Sequence, residues 1–241
     1  MPPTLADRVV TLAGTLDSAE LNNLRLLLGM AAGTLVPSEE TGQEPRASLR
    51  TTLACLSAIR NGKVVPDRGG LLYRGRPDWF SGERLNELIQ ESHDRRPVAR
   101  LYERQFVAGG GTIADELARS NLLLDLVRAA SNGMASPTGI ASYLYYDAPG
   151  MGIVPHVDTE VFALNALFLL VHEGRSVQSS LVVYPPTGPP LNLRLSPGEV
   201  VVLDANAVVH GRSSVGPEER VHVLTIGFRP EGADGITPFA L

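Results

Sequence analysis

From residue 140 onward the chain breaks into short β-branched or aromatic segments separated by Gly, Pro and Asn clusters: 140–146, 153–159, 161–171, 180–184, 191–195, 199–203, 207–211 and 220–228. Segments this short cannot bury a core singly. They have to be stacked as two sheets or closed into a barrel, with any helices to one side. The turn chemistry agrees: Pro197-Gly198 starts the run Glu199 to Leu203, and Asp204 to Asn206 breaks it. The first 135 residues read instead as helix joined by loops. Asp17-Ser18-Ala19-Glu20 offers a capping box ahead of an apolar face running from Leu21 to Leu28 and stopping at Gly33. A second helix is expected from Pro45 to Ile59 with Gly62 as its stop, a third from Ser81 to Ser92, and a fourth from Thr112 to Ala130 closed by Asn132-Gly133. Residues 66–78 are rich in turn formers and read as a surface loop, and the 185–190 proline cluster reads as a hairpin connection. The expectation is an α+β fold in a single domain over 1–241: helical support and pocket wall over 1–139, a sheet core over 140–230, and a tail over 231–241.

Composition narrows the function classes. A chain of 241 residues is long enough for one core without metal or disulfide staples. A net charge of −5 gives no field to attract a phosphate backbone, so nucleic acid is not the expected partner. The one cysteine, Cys55, has apolar helical neighbours and reads as a buried thiol, not a nucleophile. No apolar run is long enough to span a bilayer, and the first residues lack the basic region and apolar core of a secretory leader, so a cytoplasmic protein without membrane contact is expected.

Chemistry concentrates in the C-terminal half. His156-Val157-Asp158 forms a His-x-Asp triplet, and His210 and then Arg220 follow it. On a strand, side chains at i and i+2 point the same way, so His156 and Asp158 can reach one metal while Val157 faces the other layer. His210 closes the β-branched run that begins at Gly198, and Arg220 opens the last segment, where a guanidinium could take a carboxylate with two hydrogen bonds. Two imidazoles and one carboxylate hold non-haem Fe(II) on one face and leave the opposite face open. A lone His-x-Asp is weak, since chance produces it often in a chain of this composition. The ordered set carries the inference.

In these residues the chain resembles the Fe(II)/2-oxoglutarate-dependent dioxygenases, and within them the prolyl-hydroxylase-like branch, over roughly Ile140 to Pro230. The resemblance implies a double-stranded β-helix (jelly roll) with the N-terminal helices packed on one sheet. It implies Fe(II) held by His156, Asp158 and His210, and Arg220 paired with the far carboxylate of 2-oxoglutarate. The stretch from Ser142 to Gly150 is similar to the family's aromatic strand and Gly turn, which implies a tyrosine on the cosubstrate, Tyr146 matching best and Tyr143 or Tyr145 being the alternatives. Arg220-Val221-His222 stands where many relatives carry Arg-x-Ser, so His222 serves the cosubstrate, the substrate or a structural hydrogen bond. Asp158 is present where the family's halogenases have Gly or Ala, which argues against halogenation.

The implied activity uses Fe(II), 2-oxoglutarate and O2 to hydroxylate an unactivated C–H bond of a small molecule, such as an amino acid or a natural-product intermediate. The alternatives are the same chemistry on a protein side chain, or a cupin-like metal-binding barrel without 2-oxoglutarate. Glu160, Arg74, Arg76 and Arg212 are candidate substrate contacts, each weighed against a rim or surface role. The N-terminal helices and the 66–78 loop are expected to wall the pocket.

Overall fold

The structure, a computed structural model, describes residues 2–35, 43–59, 69–133, 135–185 and 189–231. Three helices come first: α1 (Leu5–Ala13), α2 (Ser18–Leu35) and α3 (Gln43–Ala58). The capping box ahead of α2 forms, with Asp17 N–H donating to Glu20 Oε2 at 3.0 Å and Glu20 N–H to Asp17 Oδ1 at 2.9 Å. Next come β1 (Leu71–Gly75), α4 (Gly82–Arg95), β2 (Arg100–Tyr102), β3 (Gln105–Gly109), α5 (Thr112–Ala118) and α6 (Asn121–Ala130). The single helix expected over 112–130 is two, because the Ser120 hydroxyl accepts the Leu123 N–H and caps a new start. Strand β1 occupies part of the expected 66–78 loop, and residues 60–68, including the Gly62 stop, lie outside the described residues.

The rest is sheet: β4 (Ser136–Tyr146), β5 (Ile153–His156), β6 (Leu164–Glu173), β7 (Leu181–Tyr184), β8 (Leu191–Leu193), β9 (Val200–Asp204), β10 (Val209–Arg212) and β11 (Arg220–Arg229). Two antiparallel sheets result. The large one runs β1-β9-β6-β11-β4-β3-β2 and the small one β5-β10-β7-β8. Their facing sides share one apolar cluster, with Leu167, Leu169, Val201 and Val223 from the large sheet meeting Leu181, Val183 and Leu193 from the small one. Strands β7 and β8 pair antiparallel as a hairpin there would require, with Leu181 opposite Leu193, while residues 186–188 of the expected connection lie outside the described residues.

Helices cover both outer faces, which corrects the expectation of helices on one sheet. Helices α4, α5 and α6 bury Leu88, Leu117, Leu123 and Val127 against Phe168, Leu224 and Phe228 of the large sheet. Helices α2 and α3 bury Ala32, Leu53 and Leu56 against Val157 and Val209 on the small sheet. The reason is apolar area. A small sheet with Val209 and Val157 outward would otherwise leave them in water, at about 25 cal/mol for each Å². Gly29 permits the close approach, since a Cβ there would collide with the Val157 side chain. Strand β5, which ends on His156, is therefore braced from behind at the Val157 that follows it.

Candidate active site

Strands β5 and β10 pair so that His156 lies directly across from His210, with a register shift that then sets Arg212 opposite Ile153. The two imidazole rings lie 4.6 Å apart, centre to centre. Between them, Gly211 lets the strands close up, because a Cβ there would meet Ile153 O at 2.8 Å. Strand β5 ends at His156, earlier than the expected 153–159, so strand alternation does not aim Asp158. Its N–H donates to Ala205 O at 2.7 Å, and its Oδ2 accepts from Asn165 Nδ2 at 2.7 Å. Thr225 in turn donates to Asn165 Oδ1 at 2.6 Å. The carboxylate is thus aimed from the large sheet while both imidazoles come from the small one.

The ligand atoms of His156, Asp158 and His210 all lie within 4.8 Å of one another, a spacing that could hold one metal ion. Asp158 Oδ1 is 3.3 Å from His156 Nε2, and Asp158 Oδ2 is 3.6 Å from His210 Nε2. Each imidazole turns its other nitrogen to a main-chain carbonyl two residues back: His156 Nδ1 to Val154 O at 2.8 Å and His210 Nδ1 to Val208 O at 3.2 Å. A carbonyl only accepts, so both Nδ1 atoms carry the proton and both Nε2 lone pairs face the centre. Burial holds His210 neutral, its pKa pushed down to about 4. Burial also opposes the charge on Asp158, yet His210, His156 and the Asn165 hydrogen bond together hold its pKa below the ordinary carboxylate range. The donor set fits a divalent first-row metal with an open face.

These three residues line one wall of a cavity of about 610 Å³ between the sheets. Its floor is apolar, with Leu144, Leu169, Leu181 and Val223, and its polar groups include Gln105, Tyr146, Arg212 and, on the exposed strand β2, Arg100. Arg212 follows His210 by two residues on β10, so its buried guanidinium enters the same cavity. It lies 5.4 Å from the Tyr146 ring and donates to Ser179 Oγ at 3.1 Å. Tyr146 donates its hydroxyl proton to Gln105 Oε1 at 2.7 Å, and burial pushes its pKa up to about 12.

The structure does not bring the other candidates into this cavity. Arg220 is exposed at the start of β11 and pairs with Glu173 at 2.6 Å. His222 points to the same side, toward α4, with Nδ1 3.2 Å from Ser92 Oγ. The two do share a strand face, but it is the face turned away from the small sheet; Val223 and Thr225 face inward. Tyr143 and Tyr145 also point outward, donating to Glu91 Oε1 at 2.6 Å and Ser92 O at 2.8 Å, while Tyr146 points in. Arg74 bonds Arg194 O and pairs with Glu199, and Arg76 bonds Phe80 O. Glu160 sits in the short helical turn Glu160–Phe162 and interacts electrostatically with Arg25. Among the described residues no lining group comes from the N-terminal helices or from 69–78; the hairpin β2–β3 supplies that wall instead.

Sequence reasoning passed over Gln105, Asn165, Ser179, Glu219 and Thr225. Asn165 carried a usable signal, since an amide inside the apolar run from Leu164 to Val171 has to find a partner in the core.

No protein-family model and no curated protein sequence matches the chain. Solved structures do match in fold. The non-haem α-ketoglutarate-dependent epimerase SnoN from nogalamycin biosynthesis aligns with a TM-score of 0.54 at 14% identity, over 69% of this chain and 85% of that one. EctD from S. alaskensis gives 0.54 at 15% identity, over 73% and 78%. A Pseudomonas putida prolyl-4-hydroxylase gives 0.50 at 18% identity, over 66% and 93%. The chain has the fold of the Fe(II)/2-oxoglutarate oxygenases.

Proposed function

We propose that this protein is an Fe(II)- and 2-oxoglutarate-dependent oxygenase that hydroxylates a small, largely apolar molecule. The observation that carries the reading is the meeting, in one cavity, of the His156, Asp158 and His210 ligand atoms with the buried guanidinium of Arg212. The two-sheet sandwich is read as a double-stranded β-helix within a single domain, because from β4 to β11 the chain passes back and forth between the sheets. Arg212 replaces Arg220 as the cationic anchor. It stands about 7 Å along β10 from His210, a separation that suits a short diacid chelating at one end and salt-bridged at the other.

His156 Nε2, His210 Nε2 and an Asp158 oxygen would hold the iron, and Asn165 keeps the carboxylate turned toward it. Bound iron with 2-oxoglutarate supplies the oxidising power: O2 is consumed, 2-oxoglutarate leaves as succinate and CO2, and one oxygen atom enters the substrate C–H bond. Arg212 binds and orients the diacid, with Tyr146 packed beside its guanidinium. Leu144, Leu169, Leu181 and Val223 keep bulk water out of the interior, which strengthens that ion pair.

Among the described lining residues Asp158 is the sole carboxylate, so the ammonium group of a free amino acid would find no counter-charge. That favours a natural-product intermediate over an amino acid. SnoN, which shares the fold, is known in complex with nogalamycin RO, a ligand of that class. A second reading, hydroxylation of a protein side chain, is favoured by β2, a sheet-edge strand that lines the cavity and leaves Leu101 and Tyr102 exposed. Anaerobic addition of Fe(II) and 2-oxoglutarate tests the central reading through the weak visible charge-transfer band of a chelated keto acid. Metal binding without that band would overturn it in favour of a cupin-like barrel. Succinate release stimulated by small molecules but not by peptides separates the two substrate readings.

A further inference from the structure

Glu219 immediately precedes Arg220, yet its side chain is completely enclosed. Its Oε1 accepts from Ser179 N–H at 2.9 Å and from Ser179 Oγ–H at 2.6 Å, and lies 2.7 Å from His172 Nε2. Its Oε2 accepts from Gly216 N–H at 2.8 Å. This dense set of donors outweighs the cost of burial and holds the Glu219 pKa at about 2, so the carboxylate is charged. A serine hydroxyl owns a single proton. Ser179 donates it in the hydrogen bond to Glu219, which leaves the Ser179 lone pairs facing Arg212, whose Nη1 donates to them at 3.1 Å. The polarity of this relay is fixed by the carboxylate.

We propose that Glu219, acting through Ser179, is the positioning residue for Arg212, fixing the guanidinium where the distal carboxylate of a 2-oxo diacid docks and so setting the length of diacid that the cavity accepts. The inference rests on the proposed function and names a control of cosubstrate choice within that same site. A guanidinium on a flexible stem has many rotamers, and a buried one without a fixed acceptor would follow its ligand instead of selecting it. Ser179 pins one edge of the guanidinium and leaves the remaining donors for the ligand. Glu219 also adds negative charge near Arg212, where it opposes the lowering of the arginine pKa by burial, as does Tyr146.

Glu219 also braces Gly216 and His172, so its replacement has structural consequences of its own. Ser179→Ala is the cleaner variant, since it leaves the Gly216 and His172 contacts in place. The test is calorimetric titration of the Ni(II)-loaded protein with 2-oxoglutarate and with 2-oxoadipate, one methylene longer, so that the readout is binding and not turnover. Wild type is expected to prefer 2-oxoglutarate. Ser179→Ala should weaken 2-oxoglutarate binding roughly tenfold and bring the two affinities closer together, and Ser179→Thr should restore both. Glu219→Gln, whose amide can donate to Ser179 and turn its proton toward Arg212, should act in the same direction. Unchanged affinities in Ser179→Ala, or a uniform loss for both diacids with their ratio intact, would overturn the relay. So would an effect in Glu219→Gln alone, which would make the carboxylate a fold brace. Wild-type protein that binds neither diacid would instead overturn the functional reading, and this inference with it.

Discussion

The two faces of β11 carry opposite kinds of chemistry. Toward the small sheet, Val223 and Thr225 line the cavity, and Thr225 helps to aim the Asp158 carboxylate through Asn165. Toward the helices, Leu224, Ile226 and Phe228 enter the core beneath α4 to α6, and His222 meets the rings of Tyr145 and His93 edge-on at 4.9 and 5.4 Å. Burial and the neighbouring His93 push the His222 pKa down to about 4, so this imidazole is neutral and structural in setting. Chemically capable residues on a strand thus divide by parity, and only one parity reaches the site. Arg212 and Arg220 make the same contrast: one is enclosed beside Tyr146, the other lies in solvent beside Glu173.

The largest effects are expected at the three ligand side chains. Asp158→Ala or His210→Ala should abolish stoichiometric iron binding and 2-oxoglutarate-dependent succinate formation, measured by metal analysis and product assay; full turnover in either would undo the inner-face assignment. Arg212→Ala should weaken 2-oxoglutarate binding by about a hundredfold, since removing one side of an enclosed charge pair costs roughly 2–5 kcal/mol. Asn165→Ala should lower metal affinity by about 10- to 100-fold, the range for losing a partner that orients a ligand.

The outer face should respond quite differently. For His222, the unfolded imidazole titrates near 6.5 and the folded one near 4, so the unfolded state binds more protons between those values and stability falls as pH drops through that window. His222→Phe should flatten this part of the acid unfolding profile, by an amount on the order of 3 kcal/mol, and leave 2-oxoglutarate affinity unchanged. Arg220→Ala should do least. An exposed ion pair is worth about 0–1 kcal/mol, so diacid affinity should change by less than about twofold in calorimetry. A large loss there would return the anchor to Arg220.

The candidate metal centre was legible because its information is local. His156 and Asp158 are two residues apart, His210 sits on a recognisable strand, and the order of the set matches a known pattern. The capping box at Asp17 and the β7–β8 pairing were legible for the same reason. Hairpin β2–β3 was not, since its short apolar pairs Leu101-Tyr102 and Phe106-Val107 sit among charged residues and look like loop. The break in the expected 112–130 helix left a signal in Ser120 that the apolar periodicity on either side outweighed.

Side-chain types and spacings were enough to select stacked sheets or a barrel in the C-terminal half and to gather two imidazoles and a carboxylate as a ligand set. They were also enough to pair Arg220 with His222 on one strand face. Which way that face turns was decided only by tertiary structure, through the register that puts Val223 opposite Leu144 and Leu169. A period of two has no preferred sign until a second sheet supplies an inside, and the inside chose Arg212, Ser179 and Glu219 from segments that no local spacing connects.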